Sequence, residues 1–345
     1  MTKTDIKGLT LGELSQSLEP FGLERYRAGQ IYEWLQVKGV SSFSQMTNLP
    51  KSLIKVLDEN YIIKYADIEK RFPSRLDETV KFLYKLFDGE YTEGVLMKYK
   101  YGYTLCVSTQ VGCRMGCKFC ASTLEGLVRN LSASEILSQI HAVSASENVK
   151  ISHIVLMGMG EPLDNYDNVL KFIRLACDEA GLNMSIRNIS LSTCGIVDGI
   201  NRLMDEKLGL TLSVSLHAPC DEIRDKIMPV NRKWKVDELL ASCREYTQKT
   251  SRRISFEYSM IQGVNDSDEC ARMLAYKLRG TLCHVNLIPI NELKENSYIK
   301  SSQQRIKSFI KILNENGINA TVRRTLGKDI DASCGQLRRK HKDRR

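Results

Sequence analysis

Residues 104–120 read TLCVSTQVGCRMGCKFC, an apolar run that passes directly into a loop bearing three cysteines. TLCVST predicts a β-strand. Cys113, Cys117 and Cys120 follow it with gaps of three and then two residues, and no histidine or fourth cysteine is close by. Thiolates are soft ligands that suit zinc or iron–sulfur centres, whereas a closed structural zinc site takes four protein ligands. Three ligands leave one metal position open, which is what a catalytic centre needs. Gly112 and Gly116 let the loop wrap tightly and turn backbone N–H groups towards a charged centre. Zinc stands as the alternative occupant.

The same strand opens a series. HIVLMG (153–158), NISLST (188–193), LTLSVSLH (210–217), RISFEYS (253–259) and HVNLI (284–288) read as further strands. Between them lie helical patterns such as SASEILSQIHAVSA (132–145), NYDNVLKFIRLACDEAG (165–181) and KVDELLASCREYTQK (235–249). Six strand–helix units in succession predict an α/β fold on a parallel sheet, open or rolled towards a barrel. A last unit, SSQQRIKSFIKILNENG (301–317) and NATVRR (319–324), leads to the tail. In such folds chemistry gathers at the C-terminal ends of the strands, and the cysteine loop lies at one such end.

Upstream, TVKFLYKLFDGEYTEGVLMKYKYG (79–102) holds two alternating stretches around Asp88-Gly89. Asp-Gly is a strong hairpin signal, so an antiparallel pair is expected over 79–99. Residues 1–75 read as helices: QIYEWLQVKGVSSFSQM (30–46) spaces Ile31, Trp34, Leu35 and Phe43 helically, and KSLIKVLDENY (51–61) follows Pro50. The expected organisation is therefore a helical accessory domain over 1–75, a hairpin extension over 76–100, a barrel over 101–325 and a C-terminal segment over 326–345.

The 345 residues suffice for a large core. The chain shows neither a run of 18 apolar residues, the length a membrane span needs, nor an apolar secretory leader. Eleven cysteines, many of them single within apolar segments (Cys177, Cys243, Cys270, Cys283), argue for a reducing compartment rather than a disulfide framework. A cytoplasmic protein without a membrane partner is expected. Of the net charge of +9, the last eight residues, RRKHKDRR, supply +5. Such a tail suits a polyanion, although a solvated terminus is its commoner meaning.

The C-x3-C-x2-C pattern after the first strand of a repeated βα domain, with Phe119 between the last two cysteines, resembles the radical S-adenosylmethionine (SAM) superfamily. The resemblance implies a partial (β/α)6 barrel and a 4Fe–4S cluster on Cys113, Cys117 and Cys120, whose open iron binds SAM. MGMGEPLDN (157–165) resembles the superfamily's SAM-binding motif, which makes Gly160 and Glu161 SAM contacts. Ser192, Ser215, Leu216, His217 and Asn291 fall at later strand ends, where they would meet the ribose, carboxylate or adenine. A lone histidine on a strand is more often structural, so His217 rests on the resemblance.

Together with VSLHAP (214–219), KIMPVN (226–231) and DIDASCGQL (329–337), these segments resemble the RlmN family over nearly the whole chain. That resemblance implies a radical SAM methyltransferase acting on carbon 2 of an adenine in 23S ribosomal RNA before full ribosome assembly, and on transfer RNA. It consumes two SAM per turnover and draws electrons from a donor such as flavodoxin or ferredoxin. Carbon 2 is an electron-poor sp2 carbon that cannot displace the SAM methyl group, so a radical route is required. In the family a cysteine, here Cys334, first becomes S-methylcysteine and then carries a methylene to the ring. A glutamate, here Glu93, takes the ring proton, burial raising its pKa into the range of a base. A second thiol, here Cys106, attacks the Cys334 sulfur and releases RNA, leaving a disulfide.

Two rivals frame this reading. Cfr, a sister family, methylates carbon 8; Pro162 after Gly160-Glu161 and SLHAP at 215–219 favour carbon 2. A non-catalytic zinc-bearing RNA-binding protein would also suit the charge. Arg25, Arg27, Lys38, Arg323, Arg324 and the tail are candidate phosphate contacts, and an unstacked adenine must reach the cluster.

Overall fold

A computed structural model of the chain describes residues 3–291, 295, 297–333 and 335–337. The N-terminal unit pairs β1 (Thr4–Asp5) in parallel with β2 (Tyr61–Ile62) and holds α1 (Leu11–Leu18), α2 (Arg25–Gln36) and α3 (Lys51–Asn60) between them. Thr10 and Glu13 form a capping box at α1, a motif that supplies two of the N–H partners a helix start lacks. Helix α2 buries Ile31, Tyr32 and Leu35. The unit docks on the rest of the molecule through polar contacts: Tyr32 OH donates to Asp178 Oδ2 at 2.6 Å, and Ala66 N–H to Ser138 Oγ at 2.9 Å.

The chain then enters a ten-stranded sheet. β3 (Asp67–Pro73), β4 (Val80–Lys85), β5 (Tyr91–Tyr99) and β6 (Gly102–Cys106) are antiparallel neighbours. The expected hairpin is present, turning at Asp88-Gly89, where Gly89 has φ +82°. β3 departs from the helical reading of residues 1–75. Its partly buried residues, Ile68 and Phe72, are separated by three exposed ones, Glu69, Lys70 and Arg71, and the ladder with β4, shifted in register between Ile68 and Lys70, claims the segment.

A small antiparallel pair, β7 (Gln110–Gly112) and β8 (Leu127–Asn130), brackets the cysteine loop. After it come α4 (Ala133–Glu147), β9 (Ile151–Leu156), α5 (Tyr166–Cys177), β10 (Ile189–Thr193), α6 (Val197–Asp205) and β11 (Thr211–Ser215). Next are α7 (Asp221–Ile227), α8 (Val236–Thr250), β12 (Ile254–Met260), α9 (Asp268–Leu278), β13 (Cys283–Pro289), α10 (Gln303–Glu315) and β14 (Ala320–Val322). The sheet order is β14-β13-β12-β11-β10-β9-β6-β5-β4-β3. From β6 to β14 every pairing is parallel.

Each strand in the expected series is thus present, and NATVRR supplies β14. Helices cover the parallel strands, and Val214, Phe256 and Leu287 are buried. Because these strands run parallel, their C-terminal ends share one rim. Among the described residues, no helix is long and apolar enough to cross a membrane.

Candidate active site

The cysteine loop sits at that rim. Gly112 holds φ +76°, and a Cβ there would lie 1.9 Å from Gly126 O. Only glycine permits this approach of β7 to the β8 side of the loop. Cys113 N–H donates to Gly126 O at 3.0 Å, and Thr123 Oγ1 donates to Cys120 O at 2.9 Å. Cys113 and Cys117 are buried and Cys120 is half-buried. All three line one cleft.

Gly160, Glu161, Ser192, Ser215, His217 and Asn291 line the same cleft. Gly160 has φ +105°, and a Cβ would meet Gln110 Cβ at 2.6 Å. The Gln110 side chain uses that closeness, accepting Glu161 N–H at 2.8 Å. Glu161 is deeply buried; its Oε2 accepts from Cys194 N–H at 2.7 Å and its Oε1 from Leu163 N–H at 3.0 Å. Burial pushes its carboxyl pKa up, and these two N–H groups pull it down. A buried carboxylate held this way suits an ammonium ligand, whose charge would complete the pair.

His217 has φ +57°, unusual for a residue with a side chain. Ser259 N–H donates to its Nδ1 at 2.9 Å, and the Phe119 ring meets the imidazole edge-on at 4.9 Å. Burial pushes its pKa down to about 3, and the Arg224 charge adds to this. The ring is therefore neutral and carries its proton on Nε2. Leu216 does not line the cleft: it is fully buried, and its carbonyl accepts from Arg224 Nε at 3.0 Å. Its contribution is backbone.

Glu93 and Cys106 stand apart from this cleft. Cys106 lines a second cavity together with Val95, Met97 and Val155. The two cavities share Met157, Ile288, Asn291 and Arg323 as lining residues. Glu93 is buried on β5, on the same side of that strand as Val95 and Met97. Lys81 Nζ lies 3.4 Å from its Oε1. This partner is absent from the sequence reading, which considered burial alone; an ammonium offsets the burial of carboxylate charge. Ser108 Oγ donates to Glu93 O at 2.6 Å and accepts Met159 N–H at 2.8 Å, tying β5 to the GMGEP loop.

Cys334 and the RRKHKDRR tail lie outside the described residues. Their neighbours do not: Ala332 and Ser333 line the second cavity and Gly335 the first. Ala121 N–H donates to Gly335 O at 2.7 Å, and Ser122 Oγ to Leu337 O at 2.9 Å. Leu337 packs with Val95 and Cys106.

Three site residues escaped the sequence reading. Cys194 and Glu257 line the cleft, and Arg224 is wholly buried beside it. Glu257 Oε2 accepts from Asn286 Nδ2 at 2.8 Å and faces Arg323 Nη1 at 3.5 Å. A charged residue within the apolar run RISFEYS was the available signal. Of the candidate phosphate contacts, Arg323 and Arg324 line the second cavity. Lys38 lies over the Trp34 ring at 3.7 Å, and Arg27 lies over Tyr26 at 4.7 Å.

The donor set fits the iron–sulfur reading. Three thiols face one cleft and act on one another electrostatically. Among the described residues, no three His, Cys, Asp or Glu side chains converge on a single metal-ion position.

Comparison with known proteins identifies the fold and the family. Residues 107–274 match the family model described as the Radical SAM superfamily, and residues 4–63 match that of the ribosomal RNA large subunit methyltransferase N-terminal domain. The chain is 51% identical over 343 residues to the "Probable dual-specificity RNA methyltransferase RlmN" of Lachnoclostridium phytofermentans, covering 99% of this chain and 96% of that protein. It is 52% identical over 337 residues to the protein of the same description from Clostridium botulinum strain Alaska E43, covering 98% and 97%. A crystal structure of a radical SAM methyltransferase from Sphaerobacter thermophilus superposes with TM-score 0.94 at 43% identity, over 98% of this chain and all of that one.

Proposed function

Since this chain belongs to the RlmN family of radical SAM methyltransferases, we propose that it methylates carbon 2 of an adenine in 23S ribosomal RNA and in transfer RNA. The relatives' description as dual-specificity RNA methyltransferases supports two RNA substrates. Cys113, Cys117 and Cys120 hold the 4Fe–4S cluster, and Gly160, Glu161, Ser192, Ser215, His217 and Asn291 receive SAM. Bound there, cluster and SAM supply a carbon-centred radical able to take hydrogen from a methyl group. Glu161 accepts from the SAM ammonium, and the neutral His217 offers Nε2–H as a donor.

One observation carries the reading: the cysteine cleft and the Cys106 cavity adjoin through shared lining residues. In the proposed cycle Cys334 takes a methyl group from one SAM. After a second SAM has served to remove one hydrogen atom from that methyl group, the methylene carbon bonds to the adenine ring. The adduct gives up one electron to a one-electron acceptor, leaving RNA joined through a thioether. The carboxylate of Glu93 removes the ring proton. The Cys106 thiolate then attacks the Cys334 sulfur, a disulfide forms, and the bond to RNA breaks with its electron pair leaving on the methyl carbon, which is protonated. An external reductant restores both thiols, and a one-electron donor such as flavodoxin or ferredoxin serves the cluster. Arg323 and Arg324 contact the phosphate or base beside the cavity.

Replacing Cys106 with Ala tests this directly. The variant is expected to trap RNA on the protein, seen in a denaturing gel as a band shift that nuclease removes. A Cys106→Ala enzyme that turns over freely contradicts the cycle.

A further inference from the structure

Arg224 projects from the short helix α7 and is fully buried. Its guanidinium donates to four neutral acceptors. Nη2 reaches Cys194 O at 2.6 Å and Ser215 O at 3.2 Å, Nε reaches Leu216 O at 3.0 Å, and Nη1 reaches Asn231 Oδ1 at 3.2 Å. These contacts tie the ends of β10 and β11 together. They occupy four of the fork's five N–H hydrogens, and none of these acceptors carries a charge. Among the described residues no carboxylate forms an ion pair with it; Asp221 and Asp225 approach through the Asn231 amide, which donates to them at 3.0 and 2.8 Å. Buried charges in folded proteins are ordinarily paired.

The same helix supports the cysteine loop. Lys118 N–H donates to Ile227 O at 2.9 Å, and a Cβ on Gly116 would touch Pro229 Cγ at 3.5 Å. Cys194 and Ser215, whose carbonyls accept from Arg224, line the same cleft as Cys113, Cys117 and Cys120. A 4Fe–4S core on three thiolates is a net anion, and it gains a further negative charge when one external electron reduces it. The anion that the buried guanidinium lacks is the one this loop is built to hold.

We propose that Arg224 is the built-in counter-charge of the iron–sulfur site, favouring the reduced cluster and so easing the electron transfer that starts each turnover. The inference rests on the reading that Cys113, Cys117 and Cys120 hold the cluster. Net charge and hydrogen bonding near a cluster are the levers that set its potential. Arg224 works as a positioning and electrostatic residue; it touches neither SAM nor RNA in this account.

The test compares wild type, Arg224→Lys and Arg224→Gln, each reconstituted anaerobically with iron and sulfide and held without SAM. Cluster reduction is followed by electron paramagnetic resonance in a mediated titration. At a fixed potential, Arg224→Gln is expected to show about a tenfold lower ratio of reduced to oxidised cluster, a negative shift of about 59 mV for a one-electron couple. Arg224→Lys, which keeps the charge and loses the fork, is expected to recover most of that ratio. A fully loaded Arg224→Gln protein that titrates with wild type overturns the proposal. Should Arg224→Gln fold poorly, the Lys variant decides: a potential as negative as that of the neutral variant's loaded fraction also overturns it. If wild type itself binds no iron, the cluster reading fails first, and iron analysis reports that separately.

Discussion

Lys81 Nζ lies 3.4 Å from Glu93 Oε1, with the Lys81 side chain 12% and the Glu93 side chain 3% exposed. Lys81 Nζ also approaches Asp331 O at 3.5 Å, three residues before Cys334. One ammonium thus connects the proposed proton acceptor to the segment that leads to the proposed methyl carrier. Glu93→Gln keeps the shape and removes the base. Loss of a general base typically costs about 10²–10⁴ in rate, so methylated RNA should fall by that factor while reductive SAM cleavage continues. Product formation at the wild-type rate would remove Glu93 from the proposed cycle.

Lys81→Met tests the other half of the pair. Leaving one member of a buried ion pair alone typically costs about 3–5 kcal/mol; the partial exposure of Lys81 puts the expected loss near the lower end. Urea denaturation of the apoprotein should show it, and adding Glu93→Gln to Lys81→Met should restore much of the stability. Simple additivity of the two losses would mean that the pair does not couple.

Gly112→Ala attacks the cysteine loop from its backbone. The new methyl group would have to occupy space 1.9 Å from Gly126 O, at a φ of +76°. The loop must open to admit it, so iron per protein after reconstitution should drop severalfold while helix content stays constant. Wild-type iron loading in this variant would show that the loop does not depend on that close approach.

Two buried groups where the N-terminal unit meets α4 predict acid sensitivity. Burial pushes Lys7 from its ordinary 10.5 down to about 7, and His141 from 6.5 down to about 3, with Lys7 itself adding to the latter. Between about 7 and 10.5 the unfolded chain holds a proton on residue 7 that the fold has released, so stability rises with pH there. Between about 3 and 6.5 the unfolded chain holds one on residue 141, so stability falls as the medium is acidified through that window. Lys7→Met should raise the thermal midpoint below pH 7 and flatten its rise on the alkaline side. An unchanged pH profile would indicate that Lys7 keeps its proton in the fold.

The sequence made the parallel sheet legible because each buried strand is a short apolar run between helical patterns, and period and length separate the two. It made the cysteine loop legible because ligand spacing is local. Strand β3 was harder to read, since Ile68 and Phe72 stand four apart, a helical spacing, around the exposed Glu69, Lys70 and Arg71, and only its partner β4 fixes the conformation. Arg224 was hidden for a related reason. In DEIRDKI it resembles any arginine of a charged helix, and its burial depends on acceptors at Cys194, Ser215 and Leu216 that the fold brings from other strands. Lys81 escaped notice because cross-strand neighbours follow from register, which the sequence leaves open.

The most direct test of the account is nucleoside mass spectrometry on 23S ribosomal RNA transcript incubated with anaerobically reconstituted protein, SAM and a strong reductant. The account predicts 2-methyladenosine from wild type, with none from Cys113→Ala or Cys334→Ala. Formation of 8-methyladenosine, or unmodified adenosine from a protein fully loaded with iron and sulfide, would contradict it.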